Sequence, residues 1–256
     1  MLVAMHQPNF IPYLGFFDKM LRADAFVIRD EVLFVNKDFH QRNRIRINGN
    51  NNLNNPQSKW IKVPVIEKPD YIRDIEIRKG ALSGGRQWNL QVLHDIEASY
   101  KGAGFFEKYY PKLKDILLEP DNRLIDLNLR IIRFLMESFN IDKEIVIASS
   151  LGLKDEGYAK TDASEDIVKI CKAVGADSYL SGAGGKNYLN CEPFQREGVE
   201  LQFQEYIHPR YDQRFPGFLP FMCAIDALFC VGRYPEDKDD NNDRSNTAWQ
   251  TRKAYA

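Results

Sequence analysis

The chain has 256 residues, 44% of them apolar, and 35 basic against 36 acidic side chains leave a formal net charge of −1. That balance argues against a dedicated nucleic-acid coat protein while leaving room for local basic patches, and no run of residues approaches the roughly 18 apolar positions of a membrane span. The length suits one α/β domain carrying a helical insertion, and no charged-then-apolar leader opens it, so a cytoplasmic globular protein is expected.

Leu2 to His6 reads as a strand, Gln7 to Tyr13 as a proline-punctuated loop, Leu14 to Ala23 as a helix and Ala25 to Arg29 as a second strand. Leu14, Phe17 and Leu21 fall at helical steps. Two strands joined by one helix pair in parallel through a right-handed crossover. The loop after His6 and the residues after Arg29 then share the carboxyl edge of the sheet, where open α/β sheets bind ligands. The stretch DEVLFVNKDFHQRNRIRING is basic and aromatic, and NGNNNLNNPQS is a turn-rich loop. WIKVPV and YIRDIEIRK alternate as the strands of a small β-ribbon do.

From Arg86 to Asn140 apolar residues recur at three- and four-residue steps. This predicts three helices, a helical subdomain at about 86–140 inside a single domain spanning 1–232. EIVIASS reads as a strand, and Asp162 with Glu165 makes a capping box for a helix that Gly175 ends. ADSYLSG is a strand, AGGKNYL a glycine-rich loop, EPFQREG a short helix and VELQFQEY another strand. FLPFMCAIDALFCVG predicts a closing apolar helix with Pro220 near its first turn, and residues 233–256 a loose polar tail. Together these elements predict an α/β fold, an open, mostly parallel Rossmann-like sheet with a helical insertion and a small β-ribbon.

Three constellations could carry chemistry. His6, Gln7 and Asn9 end the first strand just before a helix N-terminus, a setting suited to a nucleotide phosphate. Asp30 ends the second strand, and Lys37, Arg42 and Arg44 follow in the basic block, where they could clamp phosphates. Arg42, Arg44 and Arg46 also alternate as a half-exposed strand would, so one of the three is expected to be merely solvated. Ser181, Gly182, Gly184, Gly185, Lys186 and Tyr188 form a glycine turn whose amides can approach an anion, although the P-loop pattern is unmet because Asn187 follows Lys186. Trp60, Trp88, Tyr109 and Tyr110 are expected to pack rather than bind. Cys171, Cys191, Cys223 and Cys230 have no C-x-x-C spacing and are expected to be reduced thiols, with no metal site.

HQPNFIPYLGFFDKM, FHQRNRIRI, WIKVPV, GADSYLSGAGGKNYL and FLPFMCAIDALF, taken in order, resemble the successive blocks of the WbqC-like family of bacterial proteins. The resemblance runs from about Met1 to Gly232. It implies an enzyme of surface-polysaccharide (O-antigen, lipopolysaccharide) synthesis, an aminoacyl or glycyl transferase or ATP-dependent amide ligase. Its substrates would be a nucleotide-linked amino sugar and an amino-acid donor, free or carrier-linked, with ATP and Mg2+ as implied cofactors. His6 and Asp30 are then the expected catalytic pair. Phe10, Pro12 and Gly15 are also similar to the nucleotidylyltransferase signature F-x-P-x-H-x-G-H, whose histidines give way to Tyr13 and Phe16. The alternatives are therefore a non-catalytic nucleotide-sugar-binding protein or a degenerate nucleotidylyltransferase-like protein. An RNA partner rests on the basic block alone.

Overall fold

The computed structural model describes residues 1–49, 56–66, 70–119, 121–153 and 162–235. Five strands form one parallel sheet: β1 (Leu2–His6), β2 (Ala25–Ile28), β7 (Ile145–Ile147), β8 (Ser178–Ser181) and β9 (Glu200–Phe203), in the order β7-β2-β1-β8-β9. Counted along the chain this is 3-2-1-4-5, the core order of a Rossmann-type sheet. The β1 strand lies in the middle, and its residues Val3, Ala4 and Met5 are all buried. An almost unbroken apolar strand is what a parallel sheet covered on both faces requires.

Alternation along β1 decides which layer each side chain meets. Ala4, Phe26, Ile28 and Leu180 pack into a cluster with α1 (Leu14–Arg22), α2 (Trp88–Tyr100), α3 (Phe106–Leu118), α4 (Leu124–Ser138) and α7 (Ile225–Val231). Val3, Met5, Val27 and Tyr179 face α5 (Ala163–Ala173) and α6 (Cys191–Arg196). At the start of α5, Asp162 caps the helix by accepting from the Ser164 amide at 2.9 Å.

A separate antiparallel ribbon joins β3 (Arg42–Ile47) to β4 (Gln57–Lys62), with Arg44 opposite Trp60. A two-residue pairing of β5 (Leu82–Ser83) with β6 (Arg86–Gln87) precedes α2. The ribbon corrects the pairing expected from sequence, because YIRDIEIRK is not its second strand. That stretch instead holds a 3₁₀ turn, Ile72–Asp74, and isolated bridges from Tyr71, Glu76 and Ile77. Ile72, Ile75 and Ile77 are all buried; a straight strand would send Ile72 and Ile75 to opposite faces, so the chain turns.

The closing helix is also shorter than expected. Pro220 lies outside it, and Phe221 sits at φ 60. The Cys223 amide donates to Arg44 O and the Ala224 amide to Pro12 O, so these amides tie the segment to the ribbon and the first loop instead of opening a helix. The asparagine-rich loop at 50–55 and the tail from 236 lie outside the described residues.

Candidate functional site

The sheet order reverses between β1 and β8: β2 and β7 lie to one side, β9 to the other. The crevice at the carboxyl ends of the two central strands is where a sheet of this kind binds ligands. His6, Gln7, Pro8 and Asn9 leave β1 at this point, and Ser181 and Gly182 leave β8.

Between them comes a residue that no sequence motif marks. Lys19, on α1, is only 4% exposed, and its Nζ donates to Met5 O at 2.6 Å. A Cβ on Gly182 would stand 3.9 Å from that Nζ, so the ammonium is bonded to the end of β1 and lies close to the end of β8. Among the described residues no carboxylate pairs with it. Burial alone pushes its pKa down to about 7. The signal was present in sequence: Lys19 follows Phe16 by one helical step, on the arc that α1 buries.

His6 stands beside this group. Its Nδ1 is 2.9 Å from Gln7 O, and because a carbonyl only accepts, the proton resides on Nδ1 and the Nε2 lone pair is open. Burial, then the Lys19 charge and more weakly His40, lower the His6 pKa to about 3 against the opposing Gln7 carbonyl. His40 Nε2 donates to Gln7 Oε1 at 2.8 Å, and burial lowers its pKa as well. The loop is rigidly held. Asn43 Nδ2 donates to Ile11 O at 2.7 Å, and Asn128 Nδ2 to Pro8 O at 3.0 Å and His40 O at 2.8 Å. These bonds hold Ile11 at φ 45, a conformation costly for a β-branched residue.

The WbqC-like protein family model matches residues 7–237, from this loop to just past α7. The chain belongs to the WbqC-like family. It is 27% identical over 237 residues to the uncharacterized protein Rv1507c of Mycobacterium tuberculosis, covering 92% of this chain and 96% of that relative. No solved structure matches it.

In this WbqC-like protein the other candidate residues separate. Ser181 is buried with Oγ 3.2 Å from Gly182 O, and Gly185 is packed so closely that a Cβ would lie 2.1 Å from that Oγ. Gly184 has open space around it. Lys186 is exposed with Nζ 5.5 Å from the Phe203 ring, and Tyr188 is 62% exposed. Asp30 is buried, and both its oxygens are engaged, by the Ser149 amide at 2.9 Å and the Ser149 hydroxyl at 2.6 Å. It therefore ties β2 to the turn after β7, on the side of β1 away from β8. Lys37 is exposed in the loop before the ribbon, at φ 67.

Arg42 and Arg44 lie on the ribbon over Trp60, which is half exposed rather than packed as expected; Trp88 is buried. The nucleotidylyltransferase likeness weakens in three dimensions. Pro12 and Gly15 are one residue closer than in that signature, Phe16 is buried against Phe17, Phe26 and His6, and the Tyr13 ring covers Gly15. Open clefts of about 680 Å³, by Asp74, Lys79 and Arg123, and about 410 Å³, by Lys108, Tyr109 and Glu137, share no residue with the crevice.

Proposed function

We propose that this WbqC-like protein is an enzyme of surface-polysaccharide (O-antigen) synthesis that joins an amino acid, through an amide bond, to a nucleotide-linked amino sugar. One observation carries the reading: at the sheet's switch point a buried ammonium, with no carboxylate partner among the described residues, lies close to Gly182 at the start of a glycine turn. An uncompensated buried charge is costly, and a phosphate arriving there offsets the cost. In this reading the donor carboxylate would displace pyrophosphate from ATP held with Mg2+, and the sugar amine would then displace AMP from the acyl adenylate, its proton passing to water. Lys19 and the turn from Gly182 to Gly185 meet the phosphates and balance developing charge. The open Nε2 of neutral His6 accepts a hydrogen bond from the attacking amine and orients it.

The direct test incubates the protein with ATP, glycine and a dTDP-linked amino sugar and looks for a mass gain of one glycyl unit on the sugar. No product across a panel of amino acids and amino sugars would overturn it. A second reading, a nucleotide-sugar-binding protein without turnover, is favoured by the engagement of both Asp30 oxygens and the low basicity of His6. It expects binding of the same sugar nucleotide with no product under any donor.

A further inference from the structure

The ribbon carries three arginines on one strand, and they are used in two different ways. The Arg46 guanidinium is buried and spent on the protein: it donates to Ile47 O and Gln57 O at 2.9 Å, to Pro216 O at 2.6 Å and to Gly217 O at 3.1 Å. Arg42 and Arg44 do nothing comparable. Among the described residues neither guanidinium makes a hydrogen bond or an ion pair, and the Nε of each is covered and unpaired. Both lie over one indole, with Arg42 Cζ 4.2 Å and Arg44 Cζ 5.6 Å from the Trp60 ring centre.

Strand periodicity puts Arg42 and Arg44 on the same face, and cross-strand register puts Trp60 beneath Arg44. Phe39 extends the aromatic floor, its ring 5.8 Å from that of Trp60. Cation–π contact with the indole holds the two guanidinium groups without using their donors, which leaves those donors free for an oxyanion. The ribbon is joined to the crevice loop, since Phe10 N donates to Phe39 O, Asn43 holds Ile11 O, and Arg44 O is tied to Cys223.

We propose that Arg42 and Arg44, held over Trp60, form a second anion subsite that takes the diphosphate of the nucleotide-linked substrate, separate from the crevice at Lys19. The proposal rests on the two-substrate reading above, which needs one phosphate site for ATP and another for the sugar nucleotide. Two adjacent forks match a diphosphate. A net charge of −1 argues against a polynucleotide as the occupant.

The test is calorimetric titration of the full chain with ATP, with dTDP and with a short single-stranded RNA. Arg42→Gln/Arg44→Gln should weaken dTDP roughly tenfold or more and leave ATP within about twofold, while Lys19→Met does the reverse. If the double variant does not fold, Arg42→Lys and Arg44→Lys, which keep charge and stem, carry the test; each should weaken dTDP about threefold. Unchanged dTDP affinity, no dTDP binding by the unaltered protein, parallel loss of both ligands, or arginine-dependent binding of RNA alone would each overturn the subsite. Amide formation is not read here, so failure of the transferase reading and failure of the subsite are told apart.

Discussion

Lys19 is costly for the fold to keep buried. Its pKa falls from 10.5 in the open chain to about 7 when folded, which corresponds to about 5 kcal/mol of penalty on the protonated form. Below about pH 7 both folded and unfolded chains carry the proton, and the penalty is fully present. Between about 7 and 10.5 the unfolded chain binds a proton that the folded chain does not, so stability rises with pH at up to about 1.4 kcal/mol per unit. Lys19→Met should therefore stabilise the fold by roughly 2–4 kcal/mol at pH 6, less than the whole penalty because Met5 O loses its donor. The gain should shrink towards pH 10. Urea unfolding of both proteins at pH 6 and pH 9 checks this, and a difference independent of pH would mean that Lys19 titrates as an exposed lysine does. An anion bound at Lys19 would raise its pKa again, so binding near pH 8 should take up a proton.

At the scale of an element, the turn after β8 distinguishes two glycines that look equivalent in the sequence. Gly184 and Gly185 are neighbours in a 3₁₀ turn, Ala183–Asn187. A Cβ on Gly184 meets nothing within 4 Å, whereas one on Gly185 lies 2.1 Å from Ser181 Oγ and 3.0 Å from Leu189 Cδ1. Gly185→Ala should cost about 1–3 kcal/mol through overpacking and displace the turn from Lys19, weakening anion binding. Gly184→Ala should stay within about 0.5 kcal/mol. Thermal unfolding and ATP titration of the pair test this, and equal effects would remove the close packing of Gly185 against Ser181 as the cause. The first loop follows a similar logic: Asn43 and Asn128 satisfy its buried carbonyls, and so a proline-rich segment becomes a rigid crevice wall.

Across the whole molecule, one buried carboxylate joins segments far apart in the chain. Asp226 on α7 accepts from Tyr100 on α2 at 2.8 Å, and from Tyr211 and Gln213 at 2.8 Å each. Tyr100 in turn accepts from the Arg46 amide on the ribbon at 3.0 Å. Burial raises the Asp226 pKa and the three donors oppose that rise, with the Arg46 charge also contributing. Asp226→Ala should cost about 3–5 kcal/mol because three buried donors lose their acceptor. Asp226→Asn, which keeps one acceptor oxygen, should cost less. The urea midpoint should fall at constant m-value; a surface-like loss below about 0.5 kcal/mol would show that the network does not hold α7 in place.

Local pattern was enough to determine the sheet and its carboxyl edge. The apolar run Leu2–Met5 and the helical stripe of Leu14 and Phe17 depend on neighbours within a turn or two, and β1, α1 and β2 lie almost where those periods put them. Family membership was legible in the same way, in ordered blocks such as HQPNFIPYLGFFDKM. Long-range contacts decided the rest. YIRDIEIRK bends because three isoleucines share one core, and the last helix starts late because its first amides bond to Arg44 and Pro12. The roles of charged residues were least legible of all. Asp30, Lys186 and Lys19 are ordinary letters in the chain, yet one is taken up by Ser149, one lies exposed near Phe203 and one is buried between two strand ends. Burial and the identity of the partner fix a charge's chemistry, and the fold supplies both, from 14 positions away for Lys19 and 119 for Asp30.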